Sequence, residues 1–343
     1  MSSVPREEVD PALRHVHIVG TGLIGTSIGL GLRARGVFVT LEDPSPTALA
    51  MARDLGAGDP TPLDPQEQPG PSLVVVAAPP DVAASVVLNQ LRRWSAAVVT
   101  DVASVKAAVL DALERAGCGS SELARYVGSH PMAGRERSGA IGARSDLFEG
   151  RPWVICAAPR TDLGARRATE TLARTLEAVV RRMAAEDHDA AVAAVSHVPQ
   201  VAASLVASRL RELPADSVSL AGQGLRDVTR IAASEPVLWT QILAGNAAAV
   251  REVLEELATD VAVVLDALRA LEHDPDAAVG ARAMLARVIA DGNAGYVRIP
   301  GKHGGGQGAL CKQFQDEFIG HVMACSKRQI HSRCFGLRCP YRP

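Results

Sequence analysis

Four short stretches carry residue types that handle protons and carboxylates. Gly128-Ser-His-Pro-Met-Ala-Gly-Arg-Glu-Arg-Ser-Gly139 places His130 between a strand end and a Pro/Gly loop that also holds Glu136. Imidazole titrates near neutrality, so a histidine held stiffly there suits a general base, whereas a generic loop histidine would be exposed and inert. Thr100-Asp-Val-Ala-Ser-Val-Lys106 puts the hydroxyl of Ser104 directly after a strand, where it serves equally well as a helix cap. Ser196-His-Val-Pro-Gln200 lies inside an apolar helical run. An interior proline costs a helix about 3 kcal/mol or more, so a kink with a purpose is expected at Pro199. His197 beside it reads either as part of a site or as a satisfied core histidine. Gly224-Leu-Arg-Asp-Val-Thr-Arg230 spaces Arg226 and Arg230 four apart, on one helix face. Such a pair is commonly solvated; facing a cleft, it makes a fork for carboxylates.

A base of this kind needs an electron acceptor, and the N-terminal part of the chain supplies a place for one. Val16 to Val19 is a buried strand, Gly20-Thr-Gly-Leu-Ile-Gly25 follows as G-x-G-x-x-G, and an apolar-periodic helix runs on from Thr26 to Ala34. Gly20 permits the tight turn, Gly22 lets the backbone approach a pyrophosphate, and Gly25 lets helix and strand pack closely. Leu23 and Ile24 open the helix, whose free N–H groups and partial positive charge hold phosphates. A second strand, Val37 to Leu41, leads to Asp43, which lies 18 residues after Gly25, where a carboxylate meets a ribose 2′-hydroxyl. No arginine follows Asp43 immediately, so NAD is expected rather than NADP. An ordinary glycine-rich turn in a structural βαβ unit is the alternative.

The elements that position these groups alternate. Strands are expected at 73–78, 97–100, 126–128 and 153–157, with helices at 47–55, 81–94 and 104–116 between them. This is the pattern of a Rossmann-type, doubly wound parallel sheet, an α/β fold. In such sheets ligands gather at the carboxyl ends of the strands, where Ser104 and His130 fall. After about residue 159 the β signals fade, and helices are expected at 163–183, 185–213, 220–232 and 236–271. The expected organisation is a flexible leader over 1–14, a nucleotide-binding domain over 15–158, an all-α substrate and dimerisation domain over 159–300, and an atypical tail over 301–343. The last long helix is apolar on more than one face, so a homodimer through the helical domain is expected.

Composition narrows the functional classes. The 343 residues are 47% apolar and 22% charged, with a net charge of −2 and only 3% aromatics. Nothing there favours nucleic acid or an anionic membrane surface. The apolar stretches look too short to span a bilayer and the first eleven residues are polar, so a cytoplasmic protein is expected. The tail differs in character: three of the four lysines, four of the six cysteines and three of the five phenylalanines lie in the last 43 residues. It is expected to be unstructured, as a shifted reading frame would produce. The spacing of Cys325, His331, Cys334 and Cys339 fits no standard zinc site, and no metal is expected.

Taken together, V-G-T-G-L-I-G-T-S, T-D-V-A-S-V-K, G-S-H-P-M-A-G-R-E-R-S-G, S-H-V-P-Q and L-R-D-V-T-R-I-A-A-S-E-P-V-L-W resemble the prephenate dehydrogenase family, in its order and spacing, over about residues 15–300. The resemblance implies an NAD-linked oxidative decarboxylation of prephenate to 4-hydroxyphenylpyruvate in tyrosine biosynthesis, with arogenate as the rival substrate. It implies that His130 takes the proton of the ring C4 hydroxyl and that Ser104 bonds the same hydroxyl. It further implies that Arg230 holds a substrate carboxylate, that Arg226 supports it, that His197 lines the side-chain end and that Glu136 sits in the matching loop. Gln200 stands where the family often has a second histidine. The regulatory ACT domain that many relatives carry has no βαββαβ counterpart here. Hydroxyacid dehydrogenases of similar architecture use a lysine, but none lies between Lys106 and Lys302. A non-catalytic dinucleotide sensor would need the glycine loop but not Ser104, His130 and Arg230 together.

Overall fold

In the computed structural model, residues 9–61, 70–135, 139–274 and 279–299 are described. They fall into two compact units that divide after Val253, inside one long helix.

The first unit is built on an eight-stranded sheet. In chain order the strands are β1 (His15–Val19), β2 (Phe38–Glu42), β3 (Asp59–Pro60), β4 (Leu73–Val76), β5 (Val98–Asp101), β6 (Tyr126–Pro131), β7 (Pro152–Cys156) and β8 (Val179–Arg182). They lie side by side in the order β3-β2-β1-β4-β5-β6-β7-β8. β1 to β6 are mutually parallel, β7 pairs antiparallel to β6, and β8 is parallel to β7. β4 is Leu-Val-Val-Val and wholly buried, as a central parallel strand covered on both faces must be. Helices α1 (Leu23–Ala34), α2 (Pro46–Asp54), α3 (Pro80–Arg93), α4 (Ala107–Arg115), α5 (Ser120–Ala124) and α6 (Leu163–Thr175) connect the strands. The strand order reverses between β1 and β4, which opens a crevice at their carboxyl ends.

The sheet runs on past residue 158, where the sequence reading ends it. The helix expected over 163–183 stops at Thr175; Glu177 takes φ 58° and turns the chain into β8. Val179-Val-Arg-Arg reads weakly as a strand because its edge position leaves two arginines in it. Arg182 uses that exposure to bond the buried carboxylate of Glu170 in α6 through two 2.7 Å hydrogen bonds.

The helices that follow are α7 (Ala185–Val192), a π-helical segment (Ala193–His197), α8 (Val198–Ser208), α9 (Ala215–Ser219), α10 (Gln223–Thr229), a 3₁₀ turn (Arg230–Ala232), α11 (Pro236–Gly245) and α12 (Ala247–His273). The disturbance expected at Pro199 is present, as a π segment just before it in which Val198 N–H reaches back five residues to Ala193 O. Residues 185–208 nevertheless form one continuous helical rod, long and apolar enough to cross a membrane by length and composition alone. That corrects the reading of short apolar stretches: from Ala190 to Ser208 no Asp, Glu, Lys or Arg interrupts the run. The helix expected over 236–271 is in fact two, broken at Asn246. α11 packs against α3 and brings Ile242 into the core beneath that helix. The second unit holds the remainder of α12 and α13 (Val279–Tyr296).

Candidate active site

The glycine loop has the geometry its spacing implies. Gly20 lies at φ 99°, and a Cβ there would come within 2.4 Å of Ala77 O at the end of β4. A Cβ on Gly25 would sit 1.9 Å from Gly20 O, so only glycine lets α1 start this close to the turn. Gly22 differs: a Cβ there would meet nothing within 4 Å, so its backbone lies open. α1 begins beside it with no side-chain cap, which leaves the first N–H groups, on Leu23 and Ile24, without a side-chain acceptor. Asp43, just past β2, accepts from Thr21 N (2.6 Å), Thr21 Oγ1 (2.8 Å) and Ser45 N (2.8 Å). Besides offering a carboxylate beyond β2, it therefore braces the glycine turn. These features together fit a dinucleotide: an open backbone approach, uncapped helix donors and a carboxylate one strand away.

Two strands along, a buried ion pair shapes the loop that carries Ser104. Asp101 closes β5, and one of its oxygens accepts from Lys106 Nζ and from Ala103 N at 2.9 Å. Its other oxygen accepts from Tyr126 Oη at 2.7 Å. Lys106 Nζ also donates to Ser129 O at 2.7 Å. Burial, reinforced by the Asp101 carboxylate, pushes the Tyr126 phenol well above its ordinary value and keeps it a donor. Removing one partner from such a pair costs about 3–5 kcal/mol, because the other is left buried and charged. The pair thus ties the Ser104 loop to the end of β6, next to His130. Ser104 itself is partly exposed there.

His130 belongs to β6 rather than to the loop after it, paired with Val154 in the antiparallel ladder to β7. Its Nδ1 lies 2.9 Å from His188 Nε2, and His188 Nδ1 lies 2.7 Å from Asp189 Oδ1. Desolvation by burial holds His130 well below the usual imidazole value, so it is an unprotonated base at neutral pH. The sequence reading missed His188 and Asp189. In Ala185-Glu-Asp-His-Asp189 they look like part of an acidic first turn suited to the helix dipole. The one available signal was a histidine in a turn that is otherwise acidic.

His197 is buried at 1% exposure, with Asn246 Nδ2 3.2 Å from its Nδ1 and the Trp239 ring edge-on. Burial pulls its pKa down to about 4. Gln200 is buried too: it donates to Ser204 Oγ at 3.5 Å and accepts from Ser234 Oγ at 3.3 Å. Ser234 follows the turn Arg230–Ala232, so this bond ties the segment carrying Arg230 to α8. Arg226 and Arg230 are exposed; α10 ends between them, with Arg230 opening the 3₁₀ turn. Glu136 and the tail with its four cysteines lie outside the described residues. Among the described residues no group of three or more His, Cys, Asp or Glu could hold a metal, and Cys118 and Cys156 are buried, free thiols.

Comparison with known proteins adds the following. The family model for the prephenate dehydrogenase nucleotide-binding domain matches residues 28–183, and that for the prephenate dehydrogenase dimerization domain matches 184–277. "Probable prephenate dehydrogenase NovF" of Streptomyces niveus is 39% identical over 293 residues, covering 85% of this chain and 79% of that protein. Cyclohexadienyl dehydrogenase of Zymomonas mobilis is 28% identical over 273 residues, covering 76% of this chain and 90% of its own. Among solved structures, prephenate dehydrogenase from Aquifex aeolicus, in complex with hydroxyphenyl propionate and NAD+, superposes with a TM-score of 0.67. It shares 26% identity and covers 80% of this chain and 97% of that one.

Proposed function

The chain belongs to the prephenate dehydrogenase family and is an NAD-dependent oxidoreductase, and from that premise we propose that it oxidatively decarboxylates prephenate to 4-hydroxyphenylpyruvate for tyrosine synthesis, acting in the cytoplasm as a homodimer. The observation that carries the reading is His130: a neutral, fixed imidazole near the carboxyl end of β6, at the same edge of the parallel sheet as the glycine turn that suits a dinucleotide.

Gly20, Gly22 and Gly25, the N–H groups of Leu23 and Ile24, and Asp43 hold NAD in this reading. NAD, when bound, supplies the acceptor for the hydride that leaves ring C4. His130 takes the proton of the C4 hydroxyl through Nε2, while Ser104 bonds the same oxygen and keeps it aimed. The C1–carboxylate bond then breaks, its electron pair moves through the ring to the C4 oxygen, and His130 returns the proton to that oxygen. Arg230, supported by Arg226, anchors a substrate carboxylate. His197, buried against Asn246, lines the substrate's side-chain end in this reading.

Gln200 favours the keto acid over the amino acid. The uncharged amide, bonded to Ser204 and Ser234, brings no counter-charge for an ammonium. The test is NADH formation followed at 340 nm with prephenate and arogenate offered separately. Turnover of prephenate is expected. A preference for arogenate would move the enzyme to the neighbouring step, and no turnover of either would end the proposal.

A further inference from the structure

The geometry points to His188 as a positioning residue that sets the tautomer of the base, held in turn by Asp189, the start of α4 and Asn246. The inference rests on the reading of His130 as the proton acceptor and extends it to residues that touch no substrate.

The argument starts at Asp189. Its two oxygens accept from Lys106 N and Ala107 N, each at 2.9 Å, so the carboxylate closes the N-terminus of α4. The same Oδ1 lies 2.7 Å from His188 Nδ1. A carboxylate oxygen can only accept at that distance, so His188 Nδ1 must carry its proton. His188 then presents a bare Nε2 to His130 Nδ1, 2.9 Å away, and that nitrogen must be the one that donates. His130 is left with its proton on Nδ1 and its lone pair on Nε2. Only this tautomer accepts a proton on the nitrogen that has no hydrogen-bond partner among the described residues.

The arrangement also serves the charged state. When His130 takes a proton, both ring nitrogens carry one, and the cation's Nδ1–H still points at a lone pair with a carboxylate behind it. No proton need leave His130, because Asp189 remains bonded to the α4 backbone throughout.

The chain anchors this relay at both ends. His188 is fully buried, and Asp189 is nearly so. Asn246, at the break between α11 and α12, donates from Nδ2 to Asp189 O at 2.7 Å, and the same amide meets His197. Gly245 beside it lets α11 approach closely, since a Cβ there would lie 3.0 Å from Val105, in the Ser104 loop. The base on β6 is therefore oriented from the helical segment and from the loop before α4 at once.

Two measurements test this on the full chain. In the wild-type protein with 15N-labelled histidine, NMR should find His130 protonated at Nδ1 and bare at Nε2 at neutral pH, with His130→Asn assigning the signals. A proton on Nε2 instead would overturn the inference whatever the activity. In kinetics, His188→Phe, which fills the space without an acceptor, should lower kcat on the order of 10²-fold, with KM and NAD affinity little changed. His188→Gln, which can both accept from His130 and donate to Asp189, should recover most of that loss. An unchanged kcat in His188→Phe, or a His188→Gln enzyme as slow as His188→Phe, would remove His188 from the mechanism. Should His188→Phe fail to fold, the His188→Gln kinetics and the NMR decide alone. Absence of wild-type turnover would instead strike the proposed function, and the tautomer measurement would still stand.

Discussion

At the residue scale, two histidines are kept uncharged for different ends. Burial holds His130 neutral so that it can accept a proton, and its loss should be felt in the chemical step. His130→Asn should lower kcat by about 10²-fold or more while NAD affinity, read by fluorescence titration, stays put. An unaltered kcat would take the base away from β6. His197 has no such task, and its depressed pKa acts on stability. Folded, it takes a proton only near pH 4, whereas unfolded it does so near the ordinary imidazole value. Between those values the unfolded chain binds the extra proton, so stability is full above about pH 6.5 and falls as the pH drops towards 4. By pH 5 the loss from His197 should be about 2 kcal/mol. Denaturant unfolding at pH 7.5 and pH 5 measures it. His197→Asn should flatten the dependence by that amount, and an equal slope in the variant would refute the assignment.

At the scale of elements, the β1–α1 turn separates glycines that shape the fold from the one that faces the ligand. Gly25→Ala drives a methyl into the Gly20 carbonyl and should cost about 2 kcal/mol or more. Gly22→Ala meets no atom, and its φ of −71° suits alanine, so thermal stability should hold. The new methyl stands where a pyrophosphate would approach, and NAD affinity should fall about tenfold or more. Thermal melts and NAD titrations of the pair check this; equal NAD affinity in Gly22→Ala would show that the dinucleotide does not use this turn. The β5–α4 loop follows a similar logic. Thr100-Asp-Val-Ala-Ser-Val-Lys106 reads in sequence as a strand end with a hydroxyl, but its acid and base are spent on each other and on β6. Ser104 is left as the residue with freedom to reach a ligand.

At the scale of the whole molecule, the helical segment leaves large apolar side chains in the open. Leu220 is 84% exposed, and Val195, Leu205, Val228 and Val237 are all more than half exposed. Apolar side chains left so open on one segment call for a covering partner. A second copy of the chain fits the dimerization-domain match to residues 184–277. Sedimentation at micromolar concentration should return a mass of two chains, and a single-chain mass would count against the proposed homodimer. The rod of residues 185–208 belongs to this picture as well. It is apolar enough for a membrane, yet it carries His188, His197 and Gln200, each buried and hydrogen-bonded within the first unit.

What the sequence determined by itself is what depends on neighbours along the chain. The glycine turn, the carboxylate after the second strand, the alternation of strands with helices and the placing of His130 and Ser104 at strand ends all follow from local sterics and period. So does the disturbance near Pro199, since a missing N–H acts within one helical turn. Tertiary structure decided the rest. β8 exists because an edge partner and Glu170 compensate for its arginines. The expected long helix breaks at Asn246, where a side-chain amide is needed by Asp189 and His197. The pairing of Lys106 with Asp101 is local in the chain, but its further bonds to Ser129 and Tyr126 exist because β6 lies beside β5. His188 looked like one residue of an acidic helix start because its partner lies 58 residues earlier in the chain. A hydrogen bond fixes a tautomer only when both rings are brought together, and that is a property of the packed molecule.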